Sequence, residues 1–177
     1  YSDGIFMSPT DKTYAYPIRE ITKIGLSNFN YSLDTYKVGD VITFDDGSKG
    51  VIACAERDHT WVVALDDSSE SYQLYTENST NLQEIAYVTT SWKTMAPVFE
   101  PSDGYSCSRL LLENDKSPAV ASIDTENGWY LPTANQLNKI FAEKSYLAKP
   151  LVDNGGNWLS NVDYWTSTLV TGGKAMK

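Results

Sequence analysis

The pattern of apolar and polar positions divides the chain into a strand-rich first part and a helix-bearing second part. Val38-Gly39-Asp40-Val41-Ile42-Thr43-Phe44 and Gly50-Val51-Ile52-Ala53-Cys54-Ala55 flank the polar stretch Asp45-Asp46-Gly47-Ser48. An Asp-Gly pair between β-branched runs predicts a hairpin, because Gly adopts the positive φ that the tight turn requires. A further strand is predicted at Trp61-Val62-Val63-Ala64-Leu65, entered through a charged, exposed turn containing His59 and left at Asp66-Asp67-Ser68-Ser69. Upstream, Ile5-Phe6-Met7 reads as extended, Ser8-Pro9-Thr10-Asp11 as a turn, and residues 14–21 as a second extended run. Pro17 cannot donate to a ladder, so that run belongs at an edge or bulge. Residues 24–35 read as a connector. Residues 66–100 show weak periodicity and are expected to form an irregular excursion with one or two short strands.

The period then changes. Residues 106–114 carry Leu110, Leu111 and Leu112 and predict a short helix. In "NGWYLPTANQLNKIF", residues 127–141, Thr133 with Gln136 makes a Thr-x-x-Gln capping box. Leu137, Ile140, Phe141 and Leu147 follow at helical spacing as one apolar stripe. Pro150 is expected to stop that helix. Beyond Asp153-Asn154-Gly155-Gly156, the β-branched and aromatic residues of Tyr164-Trp165-Thr166-Ser167-Thr168-Leu169-Val170 predict a strand. In the capped stretch, Gly128 is assigned to a turn, and Trp129 and Leu131 to the core.

Charge and chemistry narrow the function classes. The 14 basic residues against 23 acidic ones give a net charge of −9, which disfavours nucleic acid, because phosphate binding needs a basic footprint. Apolar runs of only a few residues exclude membrane insertion by a helix. Cys54 and Cys107 are the only cysteines and His59 the only histidine, too few for an ordinary four-ligand zinc site. The two cysteines read either as buried free thiols or as a disulfide. His59 lacks a Gly-x-Ser-x-Gly elbow to serve, so catalysis by a serine–histidine pair is not expected. The pairs Asp45/Asp46 and Asp66/Asp67 lie at turns, where Asp caps its own backbone, and need no glycosidase to explain them. Asp153, Asn154, Asn157, Asn161 and Asp163 could offer oxygen ligands to calcium, although their spacing is not that of an EF-hand; metal status is left open. No cofactor is expected.

Candidate ligand-binding residues are Asn157, Trp158, Asn161 and Asp163. An aromatic face among amides and a carboxylate matches the way proteins take sugar C–H surfaces and hydroxyls. Trp158 is equally readable as a core residue, and Trp165 more readily so.

"GWYLPTANQL" followed by "YWTSTL", with "YKVGDVITFDDGSKGVIACAERDHTWVVALDD" upstream, resembles the family of C-terminal domains named after a bacterial collagen-like adhesin. The likeness covers residues 36–170. It implies an α+β, C-type-lectin-like fold of twisted antiparallel sheets with two helices and long irregular loops. The implied setting is an extracellular or cell-surface one in bacteria, outer-membrane lipoproteins included. The implied role is non-catalytic recognition or adhesion with a glycan or protein ligand. The distantly related formylglycine-generating enzymes need a reactive cysteine pair, and Cys54 and Cys107 do not fall where the resemblance would put one. Family members close with a hairpin that is not found after Val170, whereas residues 1–21 resemble that hairpin. The expected organisation is therefore a terminal segment at 1–23, a connector at 24–35 and a C-type-lectin-like domain at 36–177. The terminal segment is either the end of an upstream repeat or a set of permuted or exchanged closing strands that pairs with residues 163–177. Exchange between neighbouring copies would make the chain a subunit of a surface or virion assembly.

Overall fold

The computed structural model describes residues 9–24, 36–56, 59–76, 88–89, 104–113, 117–170 and 174–176. Strands β1 (Pro9–Asp11), β2 (Ala15–Tyr16) and β3 (Ile21–Lys23) come first, then β4 (Val41–Thr43), β5 (Lys49–Glu56), β6 (His59–Ala64), β7 (Tyr72–Gln73) and β8 (Val88–Thr89). Helices α1 (Gly104–Glu113), α2 (Pro118–Ala121), α3 (Ala134–Ala142) and α4 (Lys144–Asp153) follow, and β9 (Leu169–Val170) and β10 (Lys174–Met176) end the order. The fold is α+β.

The central sheet has the order β3-β6-β5-β4, all antiparallel. Its middle strands are buried on both faces, which explains why they read as nearly continuous apolar runs. Ile52, Val62 and Ala64 point into one cluster with Leu111, Val120, Trp129, Leu131 and Trp165. Val51, Ala53 and Val63 point into the other, against Ile140 of α3 and Leu147 and Leu151 of α4. The predicted hairpin joins β4 to β5: Gly47 has φ 85°, and the Asp46 carboxylate accepts hydrogen bonds from Ser48 N–H and Oγ. The Thr133–Gln136 capping box is present, with Gln136 N–H donating to Thr133 Oγ1 at 3.2 Å and Thr133 N–H donating to Gln136 Oε1 at 2.9 Å. Gly128 turns the chain with φ 85°, and Trp129 and Leu131 are buried.

Several expectations are corrected. Four helices form among the described residues, not two. The predicted long helix is split at Glu143, and Pro150 lies inside α4 instead of stopping it. The Pro150 ring faces the Tyr146 carbonyl it cannot bond, and packing supports that weak point. Gly39 lies so close that a Cβ added there would be 3.3 Å from the Tyr146 carbonyl oxygen and 3.6 Å from Pro150 Cγ. Residues 164–167 are buried and Thr168 half-buried, but none is in a strand; only Leu169 and Val170 are. Their hydrogen bonds leave in different directions, with Trp165 N–H donating to Pro17 O and Ser167 N–H to Pro132 O, so no ladder forms. The turn read at residues 8–11 contains β1, and the turn itself follows, closed by Tyr14 N–H to Asp11 O. Pro9 opens this edge strand, a place where a missing N–H costs little. His59 is the first residue of β6, paired with Glu56, not part of the preceding turn. The strand expected at 5–7, the connector at 25–35 and much of the 66–100 excursion lie outside the described residues.

Residues 9–24 are woven into the body of the fold. β1 pairs antiparallel with β10, β2 with β7, and β3 with β6. β10 also pairs with β9, and β9 runs parallel to β8, giving the order β1-β10-β9-β8.

Candidate functional site

A cleft of about 510 Å³ opens between the β4–β5 turn, the segment after β6 and the turn that precedes Trp129. That volume lies within the ordinary range of ligand pockets. Trp129 and Tyr72 provide aromatic surface, and Glu20, Asp46, Asp66, Asp67 and Asp124 face it with Lys49. Phe44 holds the Trp129 ring from behind, with centroids 5.2 Å apart.

Most of these carboxylates are already engaged. Asp124 accepts from Asn127 N–H at 3.2 Å and from Asn127 Nδ2 at 2.7 Å. Asp67 accepts from Arg19 Nε at 2.7 Å through one oxygen and from the Tyr164 hydroxyl at 2.9 Å through the other. Glu20 is different. Burial, and secondly the charge of Asp124, pushes its carboxyl up to about 7, with Arg19 acting in the opposite direction. It is half-buried at the cleft wall and changes charge near neutrality.

Behind the wall, Arg19 is fully buried and satisfied from three directions. Besides Asp67, its Nη1 donates to Ala64 O at 2.9 Å and its Nη2 to Asn157 O at 3.1 Å. A buried guanidinium survives only when its donors are met, and here a carboxylate and two carbonyls meet them. Tyr164 extends the network to Ser160, whose Oγ lies 2.9 Å from the phenol oxygen. Burial raises the Tyr164 pKa above its usual value, the Ser160 hydrogen bond opposes this, and the Asp67 charge adds to the rise. The phenol is thereby kept protonated, as a donor to Asp67.

The sequence-derived candidates Asn157, Trp158, Asn161 and Asp163 lie on the loop that this network anchors. Asn157 is anchored through its backbone, its N–H donating to Leu65 O at 2.9 Å and its carbonyl accepting from Arg19. Leu159 is buried, whereas Asn157, Asn161 and Asp163 are exposed and Trp158 is 61% exposed. The core reading of Trp158 is therefore corrected, and that of Trp165, at 0% exposure, stands. None of the four candidates lines the cleft, but Leu65, which anchors their loop, does. The loop and the cleft thus share one wall. For calcium, Asp153 is paired with Lys149 and Asn154 Nδ2 donates to Pro150 O. Among the described residues no three His, Cys, Asp or Glu side chains gather to hold a metal ion.

Sequence reasoning missed Glu20, Asp124 and the Arg19–Asp67 pair. The available signal was Arg19-Glu20 inside an otherwise apolar run, a charged pair where the pattern asked for core. Cys54 and Cys107 are free and buried, and burial, foremost, pushes the Cys54 thiol up to about 11. No helix among the described residues is long and apolar enough to cross a membrane.

No protein-family model, curated protein or solved structure matches the chain.

Proposed function

We propose that the chain is a non-catalytic recognition module of C-type-lectin-like topology, which presents the 157–163 loop and the adjoining cleft to a glycan or protein ligand outside the cell. The observation that carries this reading is Trp158, 61% exposed on a loop fastened at both ends by buried groups. A large apolar ring left in water on a fixed backbone favours association, since covering it gains hydrophobic free energy while little loop entropy remains to be lost. Asn161 and Asp163 beside it offer the amide and carboxylate that hydroxyls require. The reading as a binding module, not an enzyme, is supported by two buried thiols, one of them with a strongly raised pKa, and by cleft carboxylates mostly tied to structural partners.

The test is a glycan array, with a parallel screen of extracellular protein ligands, using the native chain and the variants Trp158→Ala and Asn161→Ala. A ligand held by the native chain and lost by both variants at unchanged melting temperature supports the proposal. Binding indifferent to both substitutions overturns the loop assignment.

A further inference from the structure

Every strand of residues 9–24 occupies the edge of a sheet. β1 ends the order β1-β10-β9-β8, β3 ends the order β3-β6-β5-β4, and β2 is one of the two strands in the sheet it shares with β7. Removing this strap would leave β10-β9-β8 and β6-β5-β4 paired among themselves, take β2 away from β7, and open three edges.

The bonds of the strap run almost wholly outward. Ile21 exchanges N–H···O bonds with Tyr130 at 3.0 and 2.8 Å. Ile18 and Ser68 bond each other twice, Ala64 N–H reaches Glu20 O, and Trp165 N–H reaches Pro17 O. All three Arg19 partners, Asp67, Ala64 and Asn157, lie beyond the connector at 25–35. Ile18, Arg19, Ile21 and Thr22 are all buried, so the vacated groove would hold apolar surface, unpaired backbone and an uncompensated Asp67. Such a groove needs an occupant. The segment that matches its register, its Ile pockets and its guanidinium socket is another strap of the same sequence.

We infer that residues 9–24 are an exchangeable strap, which one copy of the chain can hand to a second. The strap makes the same contacts whether it closes its own chain or a neighbour's, so the balance depends on concentration. A tethered strap competes at an effective concentration of about millimolar, so closed monomers dominate in dilute solution and exchanged forms in concentrated or surface-crowded protein. Reciprocal exchange gives a dimer; one-way exchange gives a chain of subunits, assembled as donated strands assemble elsewhere. This inference stands apart from the recognition reading: a chain that binds no glycan can still exchange its strap.

The test uses the full chain with Thr10→Cys, Ala175→Cys and the double variant, because Thr10 and Ala175 are register partners of β1 and β10. The two single variants are mixed, unfolded together, refolded under reducing conditions at rising concentration and oxidised only when native, with Cys54 and Cys107 buried. The expected result is a disulfide-linked heterodimer of the two variants, well above either like-with-like dimer and increasing with concentration. In dilute solution the double variant closes within its own chain. A heterodimer no more abundant than the like-with-like dimers, while the double variant closes normally, overturns the exchange. A double variant that does not close overturns the pairing on which it rests. As a readout free of substitutions, native mass spectrometry of ¹⁴N- and ¹⁵N-labelled chains shows mixed dimers after joint refolding but not after brief mixing of separately folded chains if straps are exchanged; mixed dimers under both conditions, or under neither, overturn the exchange.

Discussion

Trp158 and Trp165 sit on one short stretch of chain and meet opposite fates. Trp165 is fully buried: its Nε1 donates to Tyr72 O at 2.8 Å, its backbone N–H bonds Pro17 O, and Tyr16 stacks edge-on at 5.0 Å between centroids. Trp158 has 61% of its surface in water, although its neighbour Leu159 is buried. The difference lies in what fastens each region. Residues 164–168 are held by side chains that fill the core, whereas 157–163 is held at its base by backbone bonds and a buried ion pair, and this leaves its side chains to point outward. Residue type alone did not separate the two tryptophans; position relative to the Arg19–Asp67 network does.

The comparison can be broken from the core side first. Trp165→Ala should cost about 3–5 kcal/mol by urea unfolding, because it leaves a large cavity and removes a bond to β7. A loss below about 1 kcal/mol would show that Trp165 does not tie strap, sheet and loop together. Next, Asp67→Ala leaves the Arg19 guanidinium buried with only carbonyl partners and the Tyr164 phenol with only Ser160, for an expected loss of about 3 kcal/mol. Its second signature is faster hydrogen exchange at the amide of Asn157, whose N–H donates to Leu65 O and whose carbonyl Arg19 holds.

A smaller effect comes from Glu20. Its folded pKa of about 7 stands above the ordinary carboxyl value of 4.5, so between these values the folded state binds the proton more tightly. Its contribution is therefore fully present below about pH 4.5 and is lost as pH rises through about 7, by less than about 3 kcal/mol. Glu20→Gln should make stability less sensitive to pH between 5 and 8, with the gain over the native chain larger at pH 8. Equal gains at both values would remove Glu20 as a titrating group of the cleft. The smallest effect on stability is expected for Trp158→Ala, within about 0.5 kcal/mol, as for other exposed positions. If it instead destabilises the fold as much as Trp165→Ala, the contrast between the two regions fails.

How much was legible in the sequence follows the range of the interactions. The β4–β5 hairpin and the Thr133 cap are decided by residues within one turn of each other, and both formed as expected. The central strands were legible because burial on both faces leaves unbroken apolar runs. Pro150 misled because its cost is local while its support, the Gly39 segment, comes from far away in the chain. The 164–168 stretch misled for a related reason: its β-rich composition serves burial, and its partners Pro17, Tyr72 and Pro132 scatter over three regions. The Arg19 network joins residues 48, 45 and 138 positions away, and no local pattern announces it. The loop candidates were found by their chemistry, an aromatic among amides, whereas the cleft that shares their wall required the fold.

Gly156 has a consequence for how this surface can change. A Cβ placed there would come within 2.3 Å of the Leu65 carbonyl oxygen, so the loop begins with one backbone pressed directly on another. From that point, main-chain bonds at Asn157 and the buried Leu159 carry the attachment. Positions 158, 161 and 162 therefore carry almost none of the burden of folding. They form a small alphabet that can be rewritten without disturbing the page beneath: a library randomised at these three should fold nearly throughout, and one that also varies Gly156 should not.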